Sequence, residues 1–356
     1  MKHVIRILTL ILVISTLTGL CACYRRVKDS SDVWFDYELN EDRTGYEITG
    51  SNIAGEKPGV IWQMVDVVIP SEYRGKPVTK IGYEAFKNSR ILASVTIPDT
   101  VEVIVADAFA NCTALTEVHI PRSVQQFGGW VFAGCTSLSK ITVDSSNRYF
   151  TSKDNVVYTK DGAELVLYAP AKKDTRFEIP RGVTSINRYS FRHCIYLEDL
   201  IIPDTVTDIS YESIMFCTAL RGVDISKNNP EYQSIDGNLY SKDGRKFLRF
   251  YADNKPTALV LPDSVTTIES LAAYYCRNLT EVTIPSNLIY IGDGAFSQCT
   301  NLKKATFENP FGWKVIPTHG KFSSAIDLKS GDLMSPEKNA KYLTHDYNNY
   351  EWECTD

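Results

Sequence analysis

Six cysteines carry the most regular chemistry-bearing signal in this 356-residue chain: Cys112, Cys135, Cys194, Cys217, Cys276 and Cys299, separated by steps of 23, 59, 23, 59 and 23 residues. An even set of cysteines in an exported chain could form disulfides. Metal is a second use for thiols, but no CxxC pair and no neighbouring histidine pair supplies the spacing of a zinc site. A third reading fits the spacing better. All six hold one position of a repeated pattern, and four of them follow Phe109, Phe132, Phe191 or Phe296 by three residues. A free cysteine in such a place behaves as a small buried hydrophobe. The pattern therefore predicts reduced thiols stacked inside the fold beside an inward row of phenylalanines. Cys354 lies outside the lattice.

The remaining candidates for chemistry are sparse. The five histidines are scattered at positions 3, 119, 193, 319 and 345, and no GxSxG, HExxH or P-loop occurs. Asp161-Gly162 and Asp243-Gly244 lack the alternating acidic residues of a calcium loop. Asn111-Cys112-Thr113 and Asn278-Leu279-Thr280 match glycosylation sequons but fall on buried repeat positions. The sequence predicts no catalytic residue, no cofactor and no metal, so an enzyme is the least supported function class.

The elements that position these residues follow from the repeat. The pattern of Val101, Ile104, Ala108, Phe109, Cys112, Leu115, Val118, Ile120 and Pro121 restarts at Val78, Val101, Val124, Val183, Val206, Val265 and Leu288. The steps between starts are 23 or 59 residues, so two equal insertions of 36 residues interrupt one lattice. Ala85, Phe86, Ser89 and Leu92 lie on one face of a predicted helical turn. Val95 and Ile97 alternate as an inward-facing strand, which Pro98 ends because it has no N–H for a ladder. One rung leaves about eight apolar side chains uncovered, and stacking buries them at roughly 1.5–3 kcal/mol each.

The recurring AFxxCxxLxxVxIP, as in Ala108-Phe109 to Pro121, resembles the leucine-rich repeat family of the BspA surface-antigen type. The resemblance extends to Gly45–Thr49 and Val68-Ile69-Pro70 upstream, and to Gly312-Trp313 and Tyr342-Leu343-Thr344 downstream. It implies an α/β solenoid of right-handed, 23-residue rungs with a parallel sheet on one face. It also implies an exported surface protein, several members being adhesins. The chain departs from the pattern at a few points. Ser89 stands in the Cys position, Ile214 and Ala273 stand in the Phe position, and Asp144 and Ser226 replace the terminal Pro where the insertions begin. Ala273 should leave a hole that Tyr274 or Tyr275 could fill.

The insertions, about 144–179 and 226–261, are copies of each other. Each carries an Asp-Gly step between β-rich runs, a hairpin signal, and then returns to a rung strand at Ile179-Pro180 or Leu261-Pro262. The expected organisation is a signal peptide over 1–22, a linker and β-rich cap over 23–77, the solenoid over 78–308 and a C-terminal cap over 309–356. Trp130, Tyr189 and Leu271 are apolar where other rungs carry Glu84, Asp107, Glu212 or Gly294. They form either an aromatic ligand patch or packing under the adjacent hairpin.

The N-terminus reads as an export signal. Lys2 and Arg6 precede the uncharged run Ile7–Leu20, too short to span a bilayer. Leu20-Cys21-Ala22-Cys23 resembles a bacterial lipobox, with Cys23 as the lipidated residue because small Ala22 precedes it. A diacylglycerol there would give the two chains that stable anchoring needs. The resemblance thus places the protein on the outer face of a bacterial membrane.

Composition bounds the partners. Apolar residues make up 44% and charged residues 23%, a normal globular balance, and the net charge of −5 offers no basic excess for nucleic acid. The outward positions of the rung strands form two columns, including Glu117 and His119, Lys140 and Thr142, Asp199, Asp224, Glu281 and Thr283, and Lys304 and Thr306. On a single parallel sheet these columns would run along one face, small and mixed in charge, which favours a protein partner over a glycan. Membrane contact is expected through the lipid anchor only. A surface-anchored protein-binding or adhesion module is the leading reading, and a carbohydrate-binding surface lipoprotein the alternative.

Overall fold

The computed structural model describes residues 33–53, 64–210, 212–251, 257–318 and 324–355. The signal segment, Cys21 and the lipid-attachment candidate Cys23 lie outside the described residues. The chain winds into a solenoid of about ten turns, each built from a short strand, a tight turn segment and a second strand. In a representative rung the short strand is Val103–Ile104 and the second strand is Glu117–Ile120. Residues 23 apart are paired in parallel, Lys80 with Val103 and Val103 with Gln126 along the short strands. Glu117 sits between Ser94 and Lys140 along the second strands. Val101, Ile104, Ala108, Phe109, Cys112, Leu115, Val118 and Ile120 are all buried, so a rung's apolar set is covered only by its neighbours.

The expected helical turn is replaced by tight turns. Asp107 and Asn111 adopt left-handed φ values of 57° and 60°, which breaks any helix between them. Alternate amides then point along the solenoid axis: Asp107, Phe109 and Asn111 donate to the carbonyls of Gly129, Val131 and Ala133 in the next rung. The rung-to-rung ladder gives the backbone a partner that an isolated helical turn would not. Among the described residues helix is correspondingly sparse, the one α-helix being Pro336–Lys341.

The insertions hold more than hairpins. Phe150–Lys153, Val156–Thr159 and Glu164–Tyr168 form an antiparallel three-stranded meander. Its third strand pairs in parallel with Ser185–Ile186, and Arg176–Glu178 pairs in parallel with Asp199–Ile202. Each 59-residue step therefore contains a further rung, and only 13 residues are truly extra. The second copy repeats this with Tyr232–Ile235, Asn238–Ser241 and Lys246–Arg249, followed by Thr257–Val260. A buried asparagine anchors each meander. Asn147 Nδ2 donates to the Pro121 and Val124 carbonyls at 2.9 Å, while its Oδ1 accepts from the amides of Tyr149 and Phe150. Asn229 makes the same four bonds to Pro203, Val206, Glu231 and Tyr232.

The solenoid also starts before Val78. Tyr46–Ser51 pairs in parallel with Lys76–Ile81, and Val65–Val68 with Leu92–Thr96, so the segment expected to be a cap supplies a rung as well. The antiparallel strand Phe35–Leu39 covers its edge. At the far end Tyr350–Cys354 runs antiparallel beside Tyr290–Ile291 and Trp313–Pro317. Asn339 in the α-helix donates to the Ala305 carbonyl at 2.9 Å, and Trp313 and Trp352 bury against Phe307.

Candidate functional site

The outward columns exist, but not as one face. The second strands form three separate parallel sheets, one from Val65–Val68 to Lys140–Val143, one from Arg176–Glu178 to Gly222–Ile225, and one from Thr257–Val260 to Lys304–Phe307. This corrects the expectation of continuous columns. The physical reason is the meanders, which occupy the sheet edges between blocks. Ser152 Oγ accepts from the Val143 amide, and Gly237 accepts from the Val223 amide. The second approach is so close that a Cβ on Gly222 would lie 2.8 Å from the Gly237 Cα, so glycine is required there.

Within blocks the candidates are in register. In the first block Glu117 and Lys140 are adjacent and ion-paired at 2.8 Å. His119 Nδ1 lies 3.0 Å from Thr142 Oγ1, and its Nε2 lies 4.0 Å from Asp144. A shallow hollow of about 400 Å³ opens over Glu117, His119, Lys140 and Thr142 together with Ser94 and Thr96. In the third block Glu281 faces Lys304 at 3.8 Å and Thr283 pairs with Thr306, a near copy of the first. The middle block is different: Asp199 pairs with Arg221 at 3.1 Å, and Asp224 sits beside Ile201. Sequence reading missed the outward residues of the hidden rungs, Arg176 and Glu178, and Ala258 and Val260. Their signal was present, since Phe177 and Leu259 precede Leu200 and Val282 by 23 residues.

The structural ladder lies behind this face. Phe86, Phe109 and Phe132 stack with centroids 5.0 and 5.5 Å apart, and Phe191 and Phe296 are also buried. Cys112, Cys135, Cys194 and Cys299 are buried free thiols, whereas Cys217 and Cys276 are half-buried. The Cys112, Cys135, Cys217 and Cys299 thiols donate across rungs to the carbonyls of Phe86, Phe109, Phe191 and Ala273, at 2.9–3.2 Å. Burial, and then the neighbouring ladder thiol, pushes Cys112 and Cys194 well above the ordinary thiol range. Cys354 lies on the last strand, its Sγ 3.3 Å from the Phe311 carbonyl. Trp130 packs edge-on against Tyr189 at 5.2 Å above Val166 and Leu167 of the first meander, and Arg192 lies over its ring at 4.8 Å.

The family model for the BspA type leucine-rich repeat region matches six copies, over residues 69–154, 169–243 and 248–339. The chain belongs to the BspA-type leucine-rich repeat family. No curated protein matches it. Among solved structures, a leucine-rich cell surface protein from Faecalibacterium prausnitzii is 21% identical, with 78% of this chain and 94% of that chain covered and a TM-score of 0.44. The pneumococcal vaccine antigen PcpA is 19% identical, covering 73% and 53%, with a TM-score of 0.37. A leucine-rich repeat protein from Eubacterium ventriosum is 20% identical, covering 77% and 70%, with a TM-score of 0.35. Among the described residues of this BspA-type protein no helix is long and apolar enough to cross a membrane, and no cluster of three or more His, Cys, Asp or Glu could hold a metal ion.

Proposed function

We propose that this BspA-type repeat protein is a surface-anchored, non-catalytic binding module that takes a protein partner on the sheet face of its first block. Cys23 would carry the lipid anchor. The observation that supports this reading most is the hollow over Glu117, His119, Lys140 and Thr142, open to solvent and in register on a stacked sheet. Its side chains are polar and mixed in charge, which suits electrostatic complementarity with a protein surface. The neighbouring pairs Glu281–Lys304 and Thr283–Thr306 offer a second, similar patch at the other end. A glycan reading would draw on the exposed Trp130 and Tyr275, but Arg192 and Arg277 already lie over those rings.

The test is a binding screen of the purified chain against matrix proteins and glycans, followed by the paired exchange of Glu117→Lys with Lys140→Glu. The exchange keeps an ion pair in place while inverting the pattern that a partner meets. A protein ligand whose affinity drops at least about tenfold at an unchanged thermal melt supports the site. Binding to glycans alone, or a footprint confined to residues 150–168 or 232–249, overturns it. Mass spectrometry of the membrane fraction tests the anchor, a diacylglyceryl group on Cys23 being the expected mass.

A further inference from the structure

The seam between the second and third blocks contains a cleft that neither the sheet face nor the repeat explains. Its volume is about 250 Å³, and Phe216, Arg249, Tyr251, Tyr274, Tyr275 and Arg277 line it. Two of these are polar residues more than nine-tenths buried, Arg249 at 6% and Tyr251 at 9% exposure. The Arg249 Nη groups donate to the Leu271 and Tyr274 carbonyls at 2.7 and 3.4 Å, but its Nε has no hydrogen-bond partner among the described residues. The Tyr251 hydroxyl has none either. Among the described residues no acidic side chain lines the cleft and no carboxylate pairs with Arg249. A buried guanidinium balanced only by carbonyl dipoles carries a desolvation cost that a bound anion would offset.

The fold does not require this set. At the other seam the residues 82 positions earlier are Gly134, Leu167, Ala169, Arg192, His193 and Ile195, and the cavity there is only about 40 Å³. Leu167 thus does the strand's structural work where Arg249 stands in the second copy. Phe216 and Tyr275 hold left-handed φ values of 62° and 63°, a conformation that costs a bulky residue free energy. At the first of these positions the other seam uses Gly134.

We propose that the second seam is a binding site for a small carboxylate carried on a flat apolar or sugar ring. One carboxylate matches one buried guanidinium, and Arg249 Nε–H and the Tyr251 hydroxyl become its donors once the ligand displaces the side chains that bury both atoms. Burial holds the Tyr251 hydroxyl protonated, well above the ordinary tyrosine range. Phe216, Tyr274 and Tyr275 form the wall against which a ring packs. The proposal is independent of the protein-binding face.

Calorimetric titration of the full chain with benzoate, glucuronate, benzyl alcohol and glucose tests it. Saturable binding of benzoate or glucuronate is expected, at least about tenfold tighter than of the matching uncharged compound. Benzoate alone would identify an aromatic acid as the source of the carboxylate, and glucuronate alone an acidic sugar. Arg249→Leu, which copies the first seam, should abolish binding. Tyr251→Phe, which keeps the ring, should weaken it several-fold and serves if Arg249→Leu does not fold. No saturable binding of either acid at millimolar concentration, or equal binding of acids and uncharged analogues, overturns the proposal. So does unchanged affinity in a folded variant.

Discussion

The two seams of the solenoid were cut to one pattern and filled differently. Both are opened by a 13-residue excess and spanned by an antiparallel meander, and both are anchored by a buried asparagine with the same four hydrogen bonds. Asp161 and Asp243 even close the second meander turn in the same way, each accepting from a hydroxyl two residues before and an amide two residues after. The filling diverges where side chains meet. The first seam is flanked by Phe132 and Phe191 and is nearly closed, with Trp130, Tyr189 and Arg192 stacked across it. In the second seam Ile214 and Ala273 replace those two rings, and Ile214 lines the larger cleft. Tyr274 and Tyr275 do not enter the core behind Ala273 but pack outside it against Phe216, at 6.0 and 5.2 Å. The lesson is that backbone-anchoring groups fix the seam's geometry, while its side-chain contents are free to vary and so can acquire a specific use.

Phe132→Ala should break the closed seam with the largest effect, about 3–5 kcal/mol in denaturant melts, as for other buried aromatic truncations. A cost near zero would mean that the first seam is not held by its aromatic row. Next, Asn147→Ala and Asn229→Ala should each cost about 1–3 kcal/mol in all, and by similar amounts, because their bonds match. Unequal costs would show that the two anchors are not equivalent.

Thiol reactivity should separate the seams at smaller energetic scale. Cys217 and Cys276 line the open cleft and should be alkylated in native protein before Cys112, Cys135, Cys194 and Cys299, which should react only on unfolding. A disulfide-linked peptide joining Cys112 and Cys135 would contradict the buried-thiol ladder. The smallest effect concerns pH. Burial, and then Arg192, lowers the His193 pKa to about 4, and the ring stacks on Phe216 at 5.0 Å. The folded state therefore binds this proton less readily than the unfolded chain does. Its stabilising contribution is present above about pH 6.5 and is lost as pH falls toward 4. Thermal melts of His193→Gln should show a shallower decline over that window than the parent protein.

Much of this was legible in the chain. Val95 and Ile97, or Phe109 and Cys112, announce an inward face because their types and their 23-residue recurrence leave no other way to cover them. The hidden rungs were less legible. Ala171 takes the cysteine position 23 residues before Cys194, and Ala169-Pro170 removes the usual turn, so only Tyr168, Phe177 and Ile179 keep the lattice. The helical expectation for the turn failed for a local reason. Apolar spacing of one, four and seven residues suits a helix, but the left-handed Asp107 and Asn111 turn alternate amides toward the next rung.

The sequence alone determined the rung, its inward residues and the family, because one short apolar period is readable wherever stacking is the only means of burial. The tertiary structure decided what happens between blocks. It divided the expected single face into three sheets, placed Glu117 and His119 beside Lys140 and Thr142 but apart from Asp199 and Glu281, and left Arg249 and Tyr251 lining a cleft. Those outcomes depend on contacts such as Gly222 against Gly237 and Asn229 against Pro203, which join segments outside the repeat's own period. The 23-residue period does not record them, because they arise only when the meander folds back onto the rung it interrupts.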